Sequence, residues 1–274
     1  MTAVRTVLRR IGFYVLLSLV TAFFALPMLW LVTAPFTRHP TFAVTWPDFT
    51  LANFRALTDS PDALSSLYNS AALSLSTMLL TVAAAALAAY ALSKVRVPGR
   101  GAILYLLLLL SSVITGTAVM VPIFQLMFRL RLLDHDLGVI LVLTGGLLPA
   151  AIFILTDFMD TMPRLQEESA RVFGANSLQV FGHVVLPNVR PGLATIAVWA
   201  VVNVWGDFLV PFLLYRSPDK RPAAVTLNTF YTEGGRPDLA LISTFSLLYS
   251  VPMVIMFLFV SRRYGFRLHG GITA

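Results

Sequence analysis

Six stretches of this chain run apolar for roughly 20 residues each, near 11–34, 71–93, 102–127, 137–158, 191–214 and 239–261. That length matches the hydrocarbon thickness of a bilayer at the rise of an α-helix. In lipid no water satisfies an unpaired N–H or C=O, so each stretch is expected to be a helix. A β-barrel is excluded by pattern, because the runs are continuously apolar and lack a period-2 alternation. The first run is about twice as long as a secretory leader's apolar core, and no small-residue cleavage site follows it. It reads as a retained helix. The expected architecture is an all-α integral membrane protein, one domain over residues 1–274.

Composition agrees. Only 12% of the residues are charged, about half the usual share of a soluble domain. With no cysteine, disulfides and thiolate metal sites are excluded. The four histidines (His39, His135, His183, His269) show no metal-ligand spacing. The net charge of +7 is read by position. Twelve Lys and Arg fall on the side that holds both chain ends, the 93–101 turn and the 159–190 segment; eight are spread over the longer opposite loops. The positive-inside rule predicts that both termini and residues 159–190 are cytoplasmic. The excess charge is therefore topological, and no nucleic-acid partner is expected.

Residues 159–190 carry the most distinctive pattern. The stretch "EESARVFGANSLQVFGHVVLP" (167–187) is helical in period but too polar to span a bilayer. Asp160, Thr161 and Pro163 read as a helix start, Gly174 as its C′ stop, and Asn176 or Ser177 as the cap of a second helix that ends at Leu186-Pro187. Leu165, Ser169, Val172 and Phe173 form a small apolar stripe flanked by Glu168 and Arg171. A helix lying on lipid is usually rich in Lys and Arg, whereas Glu167 and Glu168 would be repelled by anionic headgroups. Docking to a protein surface is the better reading.

"EESARVFG" followed by "VVLPNVRPGL" resembles the EAA loop of permease subunits of binding-protein-dependent ABC importers. Glu168-Ser169-Ala170 stands for the triplet, Gly174 for the glycine and Val185-Leu186-Pro187 for the ending; Ser169 replaces an alanine and Phe173 the usual aspartate. The stretches "LPMLWLVTAPF" (26–36), "YNSAALSLSTMLLTVAAAALAAYALSKVRVPGR" (68–100), "VPIFQLMFRLRLLD" (121–134) and "VWGDFLVPFLL" (204–214) resemble the maltose-type, carbohydrate-uptake branch, and within it the shorter MalG-like subunit. The tail differs, ending in "GGITA".

The resemblance implies the type I importer permease fold and a function in moving a sugar or sugar-like solute across the cytoplasmic membrane by alternating access. It implies that Glu167, Glu168, Ser169, Ala170, Arg171, Phe173 and Gly174 form the coupling segment seated on an ATPase subunit, with Glu168 facing a basic group there. The implied partners are a homologous second permease, two copies of a cytoplasmic ATPase and an external solute-binding protein. The segment 215–238 resembles, by position, the loop that reaches towards that binding protein; a plain solvated loop fits its mixed charges equally well. Importers of glycerol-phosphate or glycerophosphodiester solutes share the branch and are the alternative. Burying Phe173 in a socket would contribute about 1.5–3 kcal/mol, more than the roughly 0–1 kcal/mol of an exposed Glu168 ion pair.

The chain has no G-x-x-x-x-G-K-[ST] loop, and its two lysines, Lys94 and Lys220, lie in no phosphate-cradling context. No cofactor is expected on this chain; ATP and Mg belong to the partner ATPase. An intramembrane enzyme would need convergent catalytic groups, and one acid without a neighbouring histidine argues against it. That acid, Asp207, shares a helix face with Asn203 and Trp199. Two readings stay open: the three line a passage for a polyhydroxylated solute, or Asn203 and Asp207 bind the sister subunit. Thr115 and Thr117, with Ser111 and Ser112, are weaker passage candidates, since small hydroxyl residues also serve helix packing.

Overall fold

The computed structural model describes residues 2–94, 98–114, 117–232 and 237–264. Among them every regular element is helical. In chain order these are α1 (Thr2–Thr33), α2 (Ala52–Thr58), α3 (Pro61–Lys94), α4 (Arg100–Ile114), α5 (Met120–Arg129), α6 (Asp136–Asp160), α7 (Arg164–Val172), α8 (Ser177–Val180), α9 (Leu186–Asn188), α10 (Arg190–Trp205), α11 (Leu209–Leu214), α12 (Ala223–Thr232) and α13 (Leu239–Tyr264).

Four helical stretches are individually long and apolar enough to cross a membrane: 10–36, 62–94, 136–160 and 239–260. A fifth span results if residues 177–188 and 190–205 count as one, although they are bent by 76°. The sequence pattern predicts six. The third run is instead two helices, α4 and α5, the second entered through a 3-10 turn at Thr117–Val119. The fifth run breaks at Gly206-Asp207-Phe208 into α10 and α11. Glycine is a poor helix former, and Asp207 turns its carboxylate onto the next helix start, as described below. Hydrophobicity alone does not register such breaks.

The chain forms two compact units. One comprises residues 1–64 and 226–254. In it α1 carries Pro27 and shows its apolar side chains from Ile11 onward largely exposed, as a helix facing lipid or another subunit does. After α1 the chain folds back on itself. The Trp30 indole N–H donates to the Thr41 carbonyl at 2.7 Å, and the buried Asn53 amide donates to the carbonyls of Pro35 and Thr37. The short helix α2 follows, with Asn53 and Leu57 buried. Asp238 opens α13 by accepting from the N–H groups of Ala240 and Leu241.

The second unit, residues 65–225 and 255–274, holds two buried apolar clusters. In the first, Ala85, Ala86 and Ala89 of α3 meet Ala151, Ile152 and Leu155 of α6. Val180, Val185 and Val189 continue this cluster into the 173–190 segment. Gly192 lets α10 close onto α6: a Cβ there would stand 2.7 Å from Phe158 Cγ. The second cluster joins α3, α5, α6, α10 and α11 through Leu73, Met127, Leu143, Val204 and Leu214.

Candidate functional site

The segment between α6 and α10 is built almost entirely from local capping chemistry. α6 runs on through Asp160, with Thr161 as its C-cap. Asp160 and Thr161 therefore end one helix rather than begin the next, and α7 opens after Pro163, whose φ of −61° is fixed by its ring. At the far end Gly174 takes φ +86°, a conformation that costs an L-residue about 1–2 kcal/mol. Its N–H donates to the Arg171 carbonyl and that of Ala175 to the Ala170 carbonyl, both at 3.0 Å. This is a Schellman closure, which satisfies the last carbonyls of the helix.

Two residues on, Asn176 accepts from the Gln179 N–H while the Gln179 side chain accepts from the Asn176 N–H, a reciprocal capping box. The second helix does not stop at Leu186-Pro187. It passes through a π-helical turn at Phe181–Val185 into α9, where Pro187 sits in the first turn and its missing N–H is harmless. The Asn188 amide then donates to Gln166 Oε1 at 2.9 Å, tying the end of the segment back to α7.

The two faces of α7 differ in kind. Glu167 points inward, 6% exposed, and its Oε1 lies 2.9 Å from Lys94 Nζ. Ala170 packs on the first apolar cluster. Glu168, Ser169, Arg171 and Gly174 are exposed. So are Leu165 (73%), Val172 (85%), Phe173 (91%) and, on α8, Leu178 (77%). The apolar stripe read from the sequence is thus present and uncovered, next to an open depression lined by Ala170, Phe173, Ala175, Gln179 and His183. At the end of α6, Ser93 Oγ donates to Asp160 Oδ1 at 2.6 Å, and the Arg100 guanidinium pairs with Asp160 Oδ2.

Asn203 and Asp207 line one cavity of about 110 Å³ with Met120 and Ile123 of α5 and Val142 and Gly146 of α6. Trp199 is not part of that lining; it packs, half-buried, against both apolar clusters. The Asn203 amide donates to the Trp199 carbonyl at 2.7 Å, and Asp207 Oδ1 accepts from the Val210 N–H at 3.0 Å. Each polar group therefore already serves its own helix, the carboxylate by capping α11. Thr117 is exposed in the 3-10 turn before α5. Thr115 lies outside the described residues.

One polar cluster has no counterpart in the sequence reading. Asp134, at φ +61°, accepts from the Ser217 hydroxyl at 2.6 Å and from the N–H groups of Ser217 and Arg216, while Lys220 Nζ donates to its carbonyl. The two Ser217 hydrogen bonds, seconded by Arg216 and Lys220, hold the Asp134 carboxyl well below the usual carboxylate range. The Tyr215 hydroxyl donates to Asp136 at 2.9 Å; burial first, then that carboxylate, push it above its ordinary pKa. Tyr68, Asn69, Ser76, Asp136, Tyr215 and Lys220 surround a cavity of about 230 Å³. The acid pair in "LLDHD" and the rarity of lysine were the available signals.

Comparison with known proteins gives a consistent answer. The family model described as "Binding-protein-dependent transport system inner membrane component" matches residues 82–264. The maltodextrin transport system permease protein MdxG of Bacillus subtilis is 31% identical over 270 residues, 97% of this chain and 96% of that protein. The galactooligosaccharides transport system permease protein GanQ of the same species is 26% identical, covering 98% and 97%. Among solved structures, a chain of a bacterial ABC transporter involved in the import of the acidic polysaccharide alginate matches with a TM-score of 0.82 at 20% identity, covering 94% of this chain and 96% of that one. That likeness establishes the fold. The chain is a multi-pass membrane protein that belongs to the inner-membrane component family of binding-protein-dependent transport systems.

Proposed function

We infer that this chain is one permease subunit of an ATP-driven importer, and that it carries a sugar or sugar-like solute across the cytoplasmic membrane by alternating access. The observation that carries the reading is the two-faced α7: its inner face is anchored to the chain's own helices, and its outer face presents Leu165, Val172 and Phe173 uncovered. An apolar stripe of that kind on a membrane-proximal helix suits a protein socket, and the ATPase supplies one. Glu168 and Arg171, exposed beside the stripe, supply polar contacts at its rim. Ser169, Ala170 and Gly174 keep the approach slim.

Six crossings follow if α4 with α5, and α10 with α11, each make one interrupted span. Both termini and residues 159–190 are then cytoplasmic, in keeping with the Lys and Arg distribution. A homologous permease completes the pathway, two ATPase copies bind ATP and Mg, and an external binding protein delivers the solute. The cavity at Asn203 and Asp207 is the passage candidate on this chain. Sugar chemistry is supported by the maltodextrin and galactooligosaccharide relatives.

The test is reconstitution. The chain is co-expressed with candidate partner permease, ATPase and binding protein and placed in vesicles with labelled maltodextrins outside. Uptake that requires both ATP on the ATPase side and the binding protein on the other is the expected result. A complex that retains no ATPase, or uptake indifferent to ATP, overturns the assignment.

A further inference from the structure

Lys94 and Glu167 lie 73 positions apart in sequence, yet their side chains meet at 2.9 Å with 8% and 7% of their surfaces exposed. Buried ionised groups are expensive, and a buried pair seldom adds stability over apolar residues of similar volume. Among the described residues, no hydrogen-bond donor other than the ammonium is aimed at Glu167 Oε1. Each charge depends on the other. The two also sit at opposite helix ends: Lys94 closes α3, and Glu167 lies in the first turn of α7. Each sign is the one its helix dipole favours.

The surroundings make this a joint between elements. Ser93, one residue before Lys94, donates to Asp160 at the end of α6, and Arg100 at the start of α4 pairs with the same carboxylate. Three helix ends are therefore fastened together next to α7. Among the described residues, only the Lys94–Glu167 pair reaches across to α7 by charge, beside apolar packing and the Gln166–Asn188 hydrogen bond. Apolar contacts slide at little cost, whereas a desolvated ion pair resists separation.

We propose that the Lys94–Glu167 pair is the mechanical link that carries displacement of α7 into the long helix α3, with Lys94 as a positioning residue for coupling rather than a contact to the ATPase or the solute. This rests on the function proposed above. It assigns the two adjacent glutamates opposite tasks: Glu167 faces the chain's own bundle, and Glu168 faces outward.

The experiment uses the assembled, reconstituted transporter. For each variant it measures ATPase retained on purification, hydrolysis stimulated by loaded binding protein, and solute imported per ATP hydrolysed. Lys94→Met and Glu167→Gln should each lower solute imported per ATP at least tenfold while hydrolysis persists. Lys94→Arg, which keeps the charge, should stay within about twofold of wild type. The exchange Lys94→Glu with Glu167→Lys restores the pair but opposes both helix dipoles, so it should recover import per ATP only in part. Where a single variant fails to assemble, the neutral double variant Lys94→Met with Glu167→Gln leaves no unpaired charge. That double variant should assemble and remain uncoupled. A double variant with normal import per ATP, or single variants with unchanged import per ATP, would overturn the link. Loss of uptake in the wild-type complex would instead strike the functional assignment beneath it.

Discussion

Asp134 and Ser217, 83 positions apart, are joined twice: the hydroxyl donates to one carboxylate oxygen at 2.6 Å and the backbone N–H to the other at 3.1 Å. The contact fastens the α5–α6 turn to the segment after α11, so the ionised form of Asp134 is part of the fold there. The folded pKa lies below the unfolded one. The stabilisation is therefore fully present above the ordinary carboxylate range, near pH 4, and is lost as pH falls from there through the folded value. Hydrogen exchange at Ser217 and Arg216 should rise, after correction for intrinsic rates, only below about pH 4. Asp134→Ala should remove that pH dependence and cost about 0.5–1.5 kcal/mol, because solvent screens the carboxylate. A profile unchanged by the substitution argues against the ionised Asp134 holding the turn.

Phe173 is almost wholly exposed, so its replacement should leave the isolated fold intact. Phe173→Asp is expected to shift the melting of the detergent-solubilised chain by no more than an exposed substitution does, within about 0.5 kcal/mol. ATPase retention should weaken by an order of magnitude or more, since about 1.4 kcal/mol is tenfold and the ring can bury up to about 3 kcal/mol. Pull-down titration measures it. Equal retention removes Phe173 from the docking surface.

Gly174 meets no steric obstacle, as a Cβ there would find nothing within 4 Å. What it supplies is the left-handed turn. Gly174→Ala should cost about 1–2 kcal/mol, and Gly174→Asn less, because asparagine tolerates that conformation. The ordering Gly, Asn, Ala in thermal stability, with Gly174→Val below all three, checks the turn. Alanine as stable as glycine contradicts it.

Substitutions at Asp207 can tell a capping role from a role in the solute passage. Asn at this position keeps an oxygen for the Val210 N–H, so assembly should persist; Ala loses the α11 cap and about 0.5–2 kcal/mol. If the carboxylate also lines the solute passage, Asp207→Asn lowers uptake severalfold with complex yield unchanged. Uptake matching wild type in the Asn variant confines Asp207 to capping.

The local parts of the candidate site were legible because local chemistry builds them. Gly174 as a helix stop and Asn176 as a cap follow from residue type and spacing, and both are present. The stripe of Leu165, Val172 and Phe173 follows from period. What depended on distant partners was hidden. Neighbouring residues on a helix point about 100° apart, so nothing local distinguishes the buried Glu167 from the exposed Glu168. The decisive group, Lys94, belongs to another helix. Asp160 looked like the start of α7 because aspartate favours caps, yet its carboxylate is engaged by Ser93 and Arg100 at the end of α6. The apolar runs predicted where helices lie, and the interruptions at 206–208 and before α5 escaped them, because window averages smooth over one or two residues. The Asp134 cluster joins residues more than 80 positions apart, which no sequence window contains.

The 76° bend between residues 177–188 and 190–205 has a geometric meaning. The twelve residues before the bend form an arm of roughly 18 Å at helical rise, set nearly square to α10. That shape is a crankshaft. Turning α10 by about 10° about its own axis sweeps the far end of the arm through about 3 Å, and pushing the arm sideways turns the shaft by the same proportion. A sideways stroke of a few ångströms at α8 would therefore swing the Asn203 face of α10 around its axis without lengthening or shortening any helix.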